Sequence, residues 1–275
     1  KMSISKIVIG ITTYGPIPRA ERLVQSIFSN LEPQYTPTIV IGDDTPVTQI
    51  KERRRFCEKW NVVLLEGGQI MGIPATWNKL ARFDPEADLL IIFSDGVRTV
   101  MPGWINRLVY FFDNNKNIGT VGLPLLHRDA GGDSEEGYKD NDKRWWNDVG
   151  LVGAAVGCAF AARPKDLLSI ENPDGTNGFW EDLISFHEEI HMGFKLAEKG
   201  LLSYMLPWPP VSYRGGMAFS THDELIWRQQ PSSYLPMDQF LKYARQTAWY
   251  VPQYEEKYAQ GIIDRMSYSR VMMTK

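Results

Sequence analysis

The sequence predicts an α/β protein with a mostly parallel central sheet and helices on both faces. Along the first half of the chain, short apolar runs alternate with amphipathic segments, the pattern of strand–helix units joined by right-handed crossovers. One run, residues 89–93, is apolar throughout, which is typical of a central strand covered on both sides. This strand ends before Asp95 and Gly96, and we expect the functional site at that edge of the sheet.

The other elements continue this alternation. Apolar runs predict strands, in chain order, at residues 7–11, 38–42, 62–66, 89–93, 119–123 and 151–162. Apolar residues at helical spacing predict helices at residues 20–29, 48–59, 75–82, 104–114 and 188–200. A further helix is expected at residues 237–250, in an aromatic-rich C-terminal segment that either packs as a cap or forms a ligand platform or homodimer face.

Composition restricts the class of protein. The chain has 275 residues, 43% hydrophobic and 23% charged, as in ordinary soluble globular proteins. The net charge of −3 disfavours nucleic acid and anionic membranes as partners, and the basic cluster at residues 51–55 is interpreted as a solvated helix face. No apolar run is long enough for a membrane span and the first residues do not resemble a signal peptide, so we expect a cytoplasmic protein. Cys57 and Cys158 fit no metal spacing and are expected to be free thiols.

Polar side chains follow three of the predicted parallel strands. They are, in chain order, Thr12, Thr13, Tyr14, Asp43, Asp44 and Asp95. Because the carboxyl ends of parallel strands lie at one edge of a sheet, we expect these side chains to form a polar pocket for a hydroxyl-rich ligand.

Two stretches beyond the strands also suggest function. In the long polar segment 127–147, Trp145 and Trp146 either anchor the loop or stack on a sugar or base. Glu188 and Glu189 open a predicted helix, where the helix dipole alone is enough to favour carboxylates.

The order of these segments resembles the family 2 glycosyltransferases of the GT-A fold over roughly residues 6–216. The segments that carry the resemblance are Ile-Thr-Thr-Tyr at 11–14, Ile-Gly-Asp-Asp-Thr at 41–45, Gly-Ile-Pro-Ala-Thr-Trp-Asn at 72–78, Phe-Ser-Asp-Gly-Val at 93–97 with Pro-Gly-Trp at 102–104, and residues 186–200. Residues 11–14 are similar to the family's Pro-Thr-Tyr-Asn turn, residues 41–45 to its Val-Asp-Asp-Gly-Ser, and residues 72–78 to its Gly-x-x-x-Ala-x-Asn. Residues 93–97 and 102–104 are similar to its metal-binding DxD strand, and residues 186–200 to its acceptor motif with the general base. No single segment is specific, but five in the family's order are.

The resemblance implies a GT-A catalytic domain over residues 1–216, with an extension over residues 217–275 packed on it. Within the domain, residues 1–100 would bind the nucleotide sugar and residues 101–216 the acceptor. The implied reaction moves a sugar from a nucleotide diphosphate sugar, such as a UDP-sugar, to a hydroxyl of a glycan, glycoconjugate or other compound, with inversion. Glu189 matches the position of the general base, with Glu188 beside it.

The resemblance also assigns binding residues. On the donor side these are Thr12, Thr13, Tyr14, Asp43, Asp44, Asn78, Asp95 and Arg214. On the acceptor side we expect Trp145, Trp146, Trp180 and His191.

A divalent cation, Mn²⁺ or Mg²⁺, is the expected cofactor. Val97 stands where the family has the second acid of DxD, so Asp95 is the remaining carboxylate of that motif. His222 is the candidate for the second metal ligand, with an ordinary structural histidine as the alternative. If no metal is used, Arg214 could bind the diphosphate directly.

Two other functions remain open. A degenerate relative that binds a nucleotide or sugar without turning it over would also explain Val97. A nucleotidyltransferase would share the strand pattern but needs a glycine-rich phosphate loop after the first strand, where this chain has Thr-Thr-Tyr-Gly at 12–15.

Overall fold

A computed structural model describes residues 4–13, 17–44, 49–67, 71–123, 125–127, 150–152, 159–181, 188–206 and 211–213. The strands are β1 (Ile7–Thr13), β2 (Thr38–Asp43), β3 (Val63–Leu65), β4 (Leu89–Ser94), β5 (Val97–Val100), β6 (Ile118–Gly122), β7 (Leu125–His127), β8 (Gly150–Val152), β9 (Ala159–Ala162), β10 (Leu202–Met205) and β11 (Val211–Tyr213). The helices are α1 (Ile17–Ser29), α2 (Ile50–Trp60), α3 (Ile73–Phe83), α4 (Trp104–Asn114), α5 (Pro164–Leu168) and α6 (Glu188–Glu198). The predicted C-terminal helix and extension lie outside the described residues.

A mixed, mostly parallel sheet forms the centre of the fold, in the order β3-β2-β1-β4-β9-β6-β10-β8. Strands β3, β2, β1 and β4 pair in parallel, as do β6 and β10, whereas β9 and β8 run antiparallel to their neighbours. The predicted α/β class and mostly parallel sheet are confirmed. The single strand predicted at 151–162 is wrong, because its described parts are β8 and β9, which lie at different positions in the sheet.

Both faces of the sheet are covered by helices, as predicted. In β4, Leu89, Ile91 and Phe93 pack on one face in a core that also contains buried residues of α1, α2 and α4. Leu90 and Ile92 pack on the opposite face, in a core completed by α3, α5 and α6. Side chains alternate between the two faces of a strand, so a strand buried on both faces must be apolar throughout.

Helix α3 packs directly over a glycine in each of β1 and β2. A Cβ at Gly10 would lie 2.8 Å from Leu80 Cδ1, and one at Gly42 would lie 2.8 Å from Thr76 Cγ2. Glycine therefore permits the close approach of α3 to the strands. The N-terminus of α3 then lies beside the carboxyl end of β2, where Asp44 binds it.

A second, three-stranded sheet, β5-β11-β7, lies beyond the end of β4. Ser26 of α1 connects to it, since Val100 N donates to Ser26 Oγ over 2.9 Å. No helix within the described ranges is long and apolar enough to cross a membrane.

Candidate functional site

Strand register brings the predicted polar residues to one edge of the central sheet. Thr13 of β1 lies opposite Asp43 of β2, and Thr12 lies opposite Ser94 of β4. Two backbone hydrogen bonds of 3.0 Å continue this pairing past the strands, from Asp44 N to Thr13 O and from Asp95 N to Thr12 O. The polar ends of three neighbouring strands are thus side by side, while Tyr14 lies outside the described residues.

Asp43 is held inside the protein by an arginine from α2. Its Oδ1 lies 3.3 Å from Arg53 Nε, and each of the two side chains is only 1% exposed. Thr13 Oγ1 donates to the same Oδ1 over 3.3 Å. The predicted solvated face at residues 51–55 is therefore wrong for Arg53, which is buried in an ion pair, whereas its neighbours in the cluster are exposed.

Asp44 binds the start of α3. Its Oδ1 accepts a hydrogen bond from Met71 N over 2.6 Å, and its Oδ2 accepts one from Gly72 N over 3.1 Å. Burial raises the pKa of Asp44 to about 6, although these two backbone hydrogen bonds act in the opposite direction. The carboxylate thus fixes the loop before α3 at the sheet edge, where a helix N-terminus favours negative charge.

Asp95 and Val97 occupy very different surroundings. Asp95 follows β4 at the sheet edge and is 8% exposed, whereas Val97 is fully buried in the hydrophobic core. A carboxylate at position 97 would be buried among apolar side chains, so this position favours an apolar residue.

The residues present at this edge fit a divalent cation that is bound partly through its substrate. Asp95 offers one hard oxygen ligand, and Mg²⁺ or Mn²⁺ at a phosphate site needs only one or two protein carboxylates. Within the described ranges, no group of three or more His, Cys, Asp and Glu side chains could hold a metal without help from a ligand. His222 and Arg214 lie outside those ranges.

Asn78 of α3 is fully buried, and its side chain binds Phe179, which lies 101 residues later in the sequence. Its Oδ1 accepts a hydrogen bond from Phe179 N over 2.7 Å, and its Nδ2 donates to Phe179 O and to Glu181 Oε1, each over 2.8 Å. The amide group predicted to bind the donor is therefore engaged with the segment before α6.

Trp180 and His191 lie together on the α6 side of the site. Their ring centroids are 5.4 Å apart with the planes inclined at 45°. His191 is 2% exposed, and burial, followed by the nearby charge of Lys195, lowers its pKa to about 4. The structure thus brings together two of the predicted acceptor residues, whereas Trp145 and Trp146 lie outside the described part of the chain.

Glu189 lies in the first turn of α6, next to Glu188 at the helix start. Its side chain is half-buried, and its Oε2 is buried without a hydrogen-bond partner in the described structure. Burial raises the pKa of Glu189 to about 7. A buried carboxylate oxygen that lacks an internal partner is available to accept a proton from a bound molecule.

Sequence reasoning missed two residues that organise this site, Arg53 and Glu181. Arg53 stood within a run of charges, and the only signal for its burial was the helical period that also buries Phe56 and Cys57. Glu181 has no local sequence signal, because its partners Asn78 and Arg82 are distant in sequence.

Solved structures similar to this one include the following three. The crystal structure of GalNAc-T7 with UDP, GalNAc and Mn²⁺ has a TM-score of 0.62 at 16% identity, and the match covers 94% of this chain and 57% of that one. The mannosyltransferase PcManGT from Pyrobaculum calidifontis, in complex with GDP-Man and Mn²⁺, has a TM-score of 0.61 at 13% identity, with 98% and 79% covered. TarS from S. aureus has a TM-score of 0.59 at 12% identity, with 93% and 41% covered.

The similarity shows the fold. All three are glycosyltransferases of the GT-A fold, and this chain has that fold. The chain spans less than two thirds of the length of the GalNAc-T7 and TarS structures. No protein-family model matches the sequence, and no curated protein is significantly similar to it.

Proposed function

We propose that this protein transfers a sugar from a nucleotide diphosphate sugar to an acceptor hydroxyl, with inversion at the anomeric carbon and Glu189 as the general base. The observation that carries the proposal is the carboxylate of Glu189, whose buried Oε2 has no partner in the described structure of a GT-A fold. The family 2 resemblance assigns the general base to the same position.

The environment of Glu189 suits a general base. A hydroxyl is a poor nucleophile, so its proton must be removed as it attacks the anomeric carbon from the side opposite the leaving group. A base works best when its pKa is close to the operating pH, and burial raises the pKa of Glu189 to about 7. Its position in the first turn of α6 stabilises the ionised form before the proton is taken.

The donor would lie at the polar edge formed by β1, β2 and β4. There Thr12, Asp44 and Asp95 offer acceptors for the hydroxyls and base of a nucleotide, and we assign Tyr14 and Arg214 to the same ligand. The bound UDP and GDP-Man of the similar structures support a nucleoside diphosphate sugar as the donor. Thr13 and Asp43 would support this edge without contacting the donor, because the side chain of Asp43 binds both Thr13 and Arg53.

A divalent cation would be held by Asp95, with His222 as its second protein ligand. When bound, such a cation neutralises the charge that grows on the departing diphosphate. The Mn²⁺ in two of the similar structures supports a divalent cation as the cofactor. Arg214 supplies the same charge compensation if the protein works without metal.

The acceptor would lie on the α6 side, between Glu189 and the indole of Trp180. Flat aromatic faces suit the apolar faces of sugar rings, and we assign Trp145, Trp146 and His191 to the same half of the site. A glycan or glycoconjugate is therefore the proposed acceptor class.

The test is incubation with a panel of UDP- and GDP-sugars in the presence of Mn²⁺, with release of nucleoside diphosphate as the readout. Release by the wild-type protein, lost in the Glu189→Gln variant, would support the proposal. A second function, nucleotide or sugar binding without turnover, is favoured by the core position of Val97. Binding of UDP or GDP by calorimetry without release from any sugar nucleotide would favour that function instead.

A further inference from the structure

Asn78 forms a bridge between the two halves of the site. It lies on α3, whose N-terminus Asp44 fixes at the donor edge, and it binds both the N–H and the C=O of Phe179. One side-chain amide that pairs with both backbone groups of a residue fixes the orientation of the peptides on either side of it. The third hydrogen bond, to Glu181 Oε1, attaches the chain again two residues later.

The chain between these attachments is shaped around the amide. Gly178 has a φ of +104°, and a Cβ there would collide with Asn78 Oδ1. Only glycine adopts this conformation without strain and leaves room for the amide. Any other residue at position 178 would displace the backbone that Asn78 binds.

Phe179 and Trp180 point to different surroundings as a result. Phe179 is 1% exposed and packs edge-on against Trp77, with ring centroids 4.9 Å apart. Trp180 is only half-buried and lies against His191 of α6. With Phe179 fixed in the core and its backbone bound by Asn78, the peptide that joins Phe179 to Trp180 is held in one orientation, which restricts where the Trp180 side chain can lie.

We propose that Asn78 is a positioning residue for the acceptor side of the site, which acts through Phe179 to hold Trp180 against His191. This inference rests on the proposed function, in which Trp180 and His191 bind the acceptor. It reverses the expectation from the sequence, which placed Asn78 on the donor. The hydrogen-bonding groups of the amide are already engaged with residues 179 and 181, so the donor is recognised by the strand ends instead.

The titration of His191 reports directly on this positioning. Burial is the main reason that the pKa of His191 lies well below its ordinary value, and the indole of Trp180 lies beside the imidazole. Lys195 lowers the pKa further from its own position on α6, one turn away. If Trp180 moves, water reaches the imidazole and the pKa of His191 rises, whereas Lys195 remains where it is.

The test compares the Asn78→Asp variant with wild type in two measurements. NMR titration of the histidine ring protons gives the pKa of His191, whose signal among the four histidines is identified by its loss in His191→Gln. Calorimetry with UDP and with GDP, each with Mn²⁺, gives the nucleotide affinity. We expect the pKa of His191 to rise by about one unit or more, and the nucleotide affinities to stay within about twofold of wild type.

Asp at position 78 keeps the acceptor for Phe179 N–H but loses both donated hydrogen bonds and places a carboxylate beside Glu181. An unchanged pKa of His191 in a folded Asn78→Asp protein would overturn the inference. So would a nucleotide affinity about tenfold weaker, because that would place Asn78 in contact with the donor.

Further variants separate positioning from general loss of stability. Glu181→Ala removes one partner of Asn78 at a half-exposed site, and it should raise the pKa of His191 by a smaller amount even if Asn78→Asp fails to fold. Lys199→Ala is the matched control, because it removes hydrogen bonds between Ser169 and the residue after α6 without touching residues 178–181. It should leave the pKa of His191 unchanged, and an equal rise in this variant would contradict the inference.

A failure of the proposed glycosyl transfer would give different results from a failure of the positioning role of Asn78. In that case neither UDP nor GDP binds to wild type, or no sugar nucleotide is turned over. The titration of His191 needs no nucleotide and no turnover, so it still decides whether Asn78 positions Trp180.

Discussion

Arg53 Nε lies 3.3 Å from Asp43 Oδ1 in an ion pair that is buried beneath the candidate donor edge, with each side chain 1% exposed. The pair connects α2 to the carboxyl end of β2. Two charges so far from water are stable only while both are present, because either one alone would be a buried charge without compensation.

Replacing Arg53 should therefore be strongly destabilising. We expect Arg53→Ala to lower the free energy of unfolding by about 3–5 kcal/mol, the usual cost of removing one partner from a buried ion pair. Urea denaturation followed by circular dichroism would measure it. Arg54→Ala is the control, since Arg54 lies next in sequence but pairs with Glu66 at the surface. Exposed pairs contribute little, so equal losses in the two variants would contradict a special role for the buried pair.

The alternation of apolar runs made the sheet and its polar edge predictable. A strand buried on both faces must be apolar throughout, and parallel strands must end at one edge, so Asp44 and Asp95 could be placed together from the sequence. The three-stranded sheet was not predicted, because β5, β7 and β11 are short and pair with residues far away in sequence.

The contacts that shape the site were less accessible to sequence reasoning. The hydrogen-bond partners of Asn78 lie about a hundred residues later in the chain, and no local pattern indicates such pairing. The burial of Arg53 depends on Asp43, which belongs to a different element. Tertiary pairing of polar groups, unlike apolar periodicity, leaves little trace in one sequence.

The pKa of Glu189 predicts how activity depends on pH. A general base must be ionised before the reaction, and the pKa of Glu189 is raised to about 7 by burial. The rate of transfer should therefore rise with pH up to about that value and level off above it. Glu189→Gln should lower kcat by about 100-fold or more and abolish this limb, while UDP affinity stays near that of wild type.

The raised pKa of Glu189 should also make the free energy of unfolding depend on pH, and this free energy should fall as the rate of transfer rises. An unfolded glutamate loses its proton near its ordinary pKa of 4.5, whereas the folded protein keeps it until about pH 7. The stability that Glu189 contributes to the folded protein is thus fully present below pH 4.5, and it is lost as the pH rises through about 7. Denaturation midpoints of wild type and Glu189→Gln across this window would measure the effect, and parallel curves would contradict the assigned pKa.

Asp44 is expected to matter for nucleotide binding. Its carboxylate fixes Met71 and Gly72 at the edge where we propose that the donor binds, and in that proposal it is an oriented acceptor for the nucleotide. Asp44→Ala should weaken UDP or GDP binding by about tenfold, the effect of roughly one charged hydrogen bond. Calorimetry measures this directly. Asp88→Ala is a suitable control, since Asp88 accepts hydrogen bonds from Ser5 and Lys6 just before β1, at the opposite edge of the sheet. An affinity unchanged in Asp44→Ala would remove Asp44 from the donor site.

The metal requirement can be decided by chelation. Asp95 is the carboxylate that β4 delivers to the sheet edge, and Val97 is buried in the core, so the described part of this edge offers few ligands to a cation. A site with so few protein ligands should hold Mn²⁺ weakly and mainly together with the diphosphate. EDTA should therefore abolish transfer, and Mn²⁺ should restore it.

Single substitutions can identify the second protein ligand of the Mn²⁺ ion, beside Asp95. If His222 is that ligand, His222→Ala should raise the Mn²⁺ concentration needed for half-maximal activity by about tenfold, with an unchanged circular dichroism spectrum. Full activity in EDTA would exclude this arrangement, because the charge on the leaving diphosphate would then be neutralised by protein groups. Arg214→Ala should in that case lower kcat far more than it raises KM for the donor, since the arginine would act on charge that develops in the transition state.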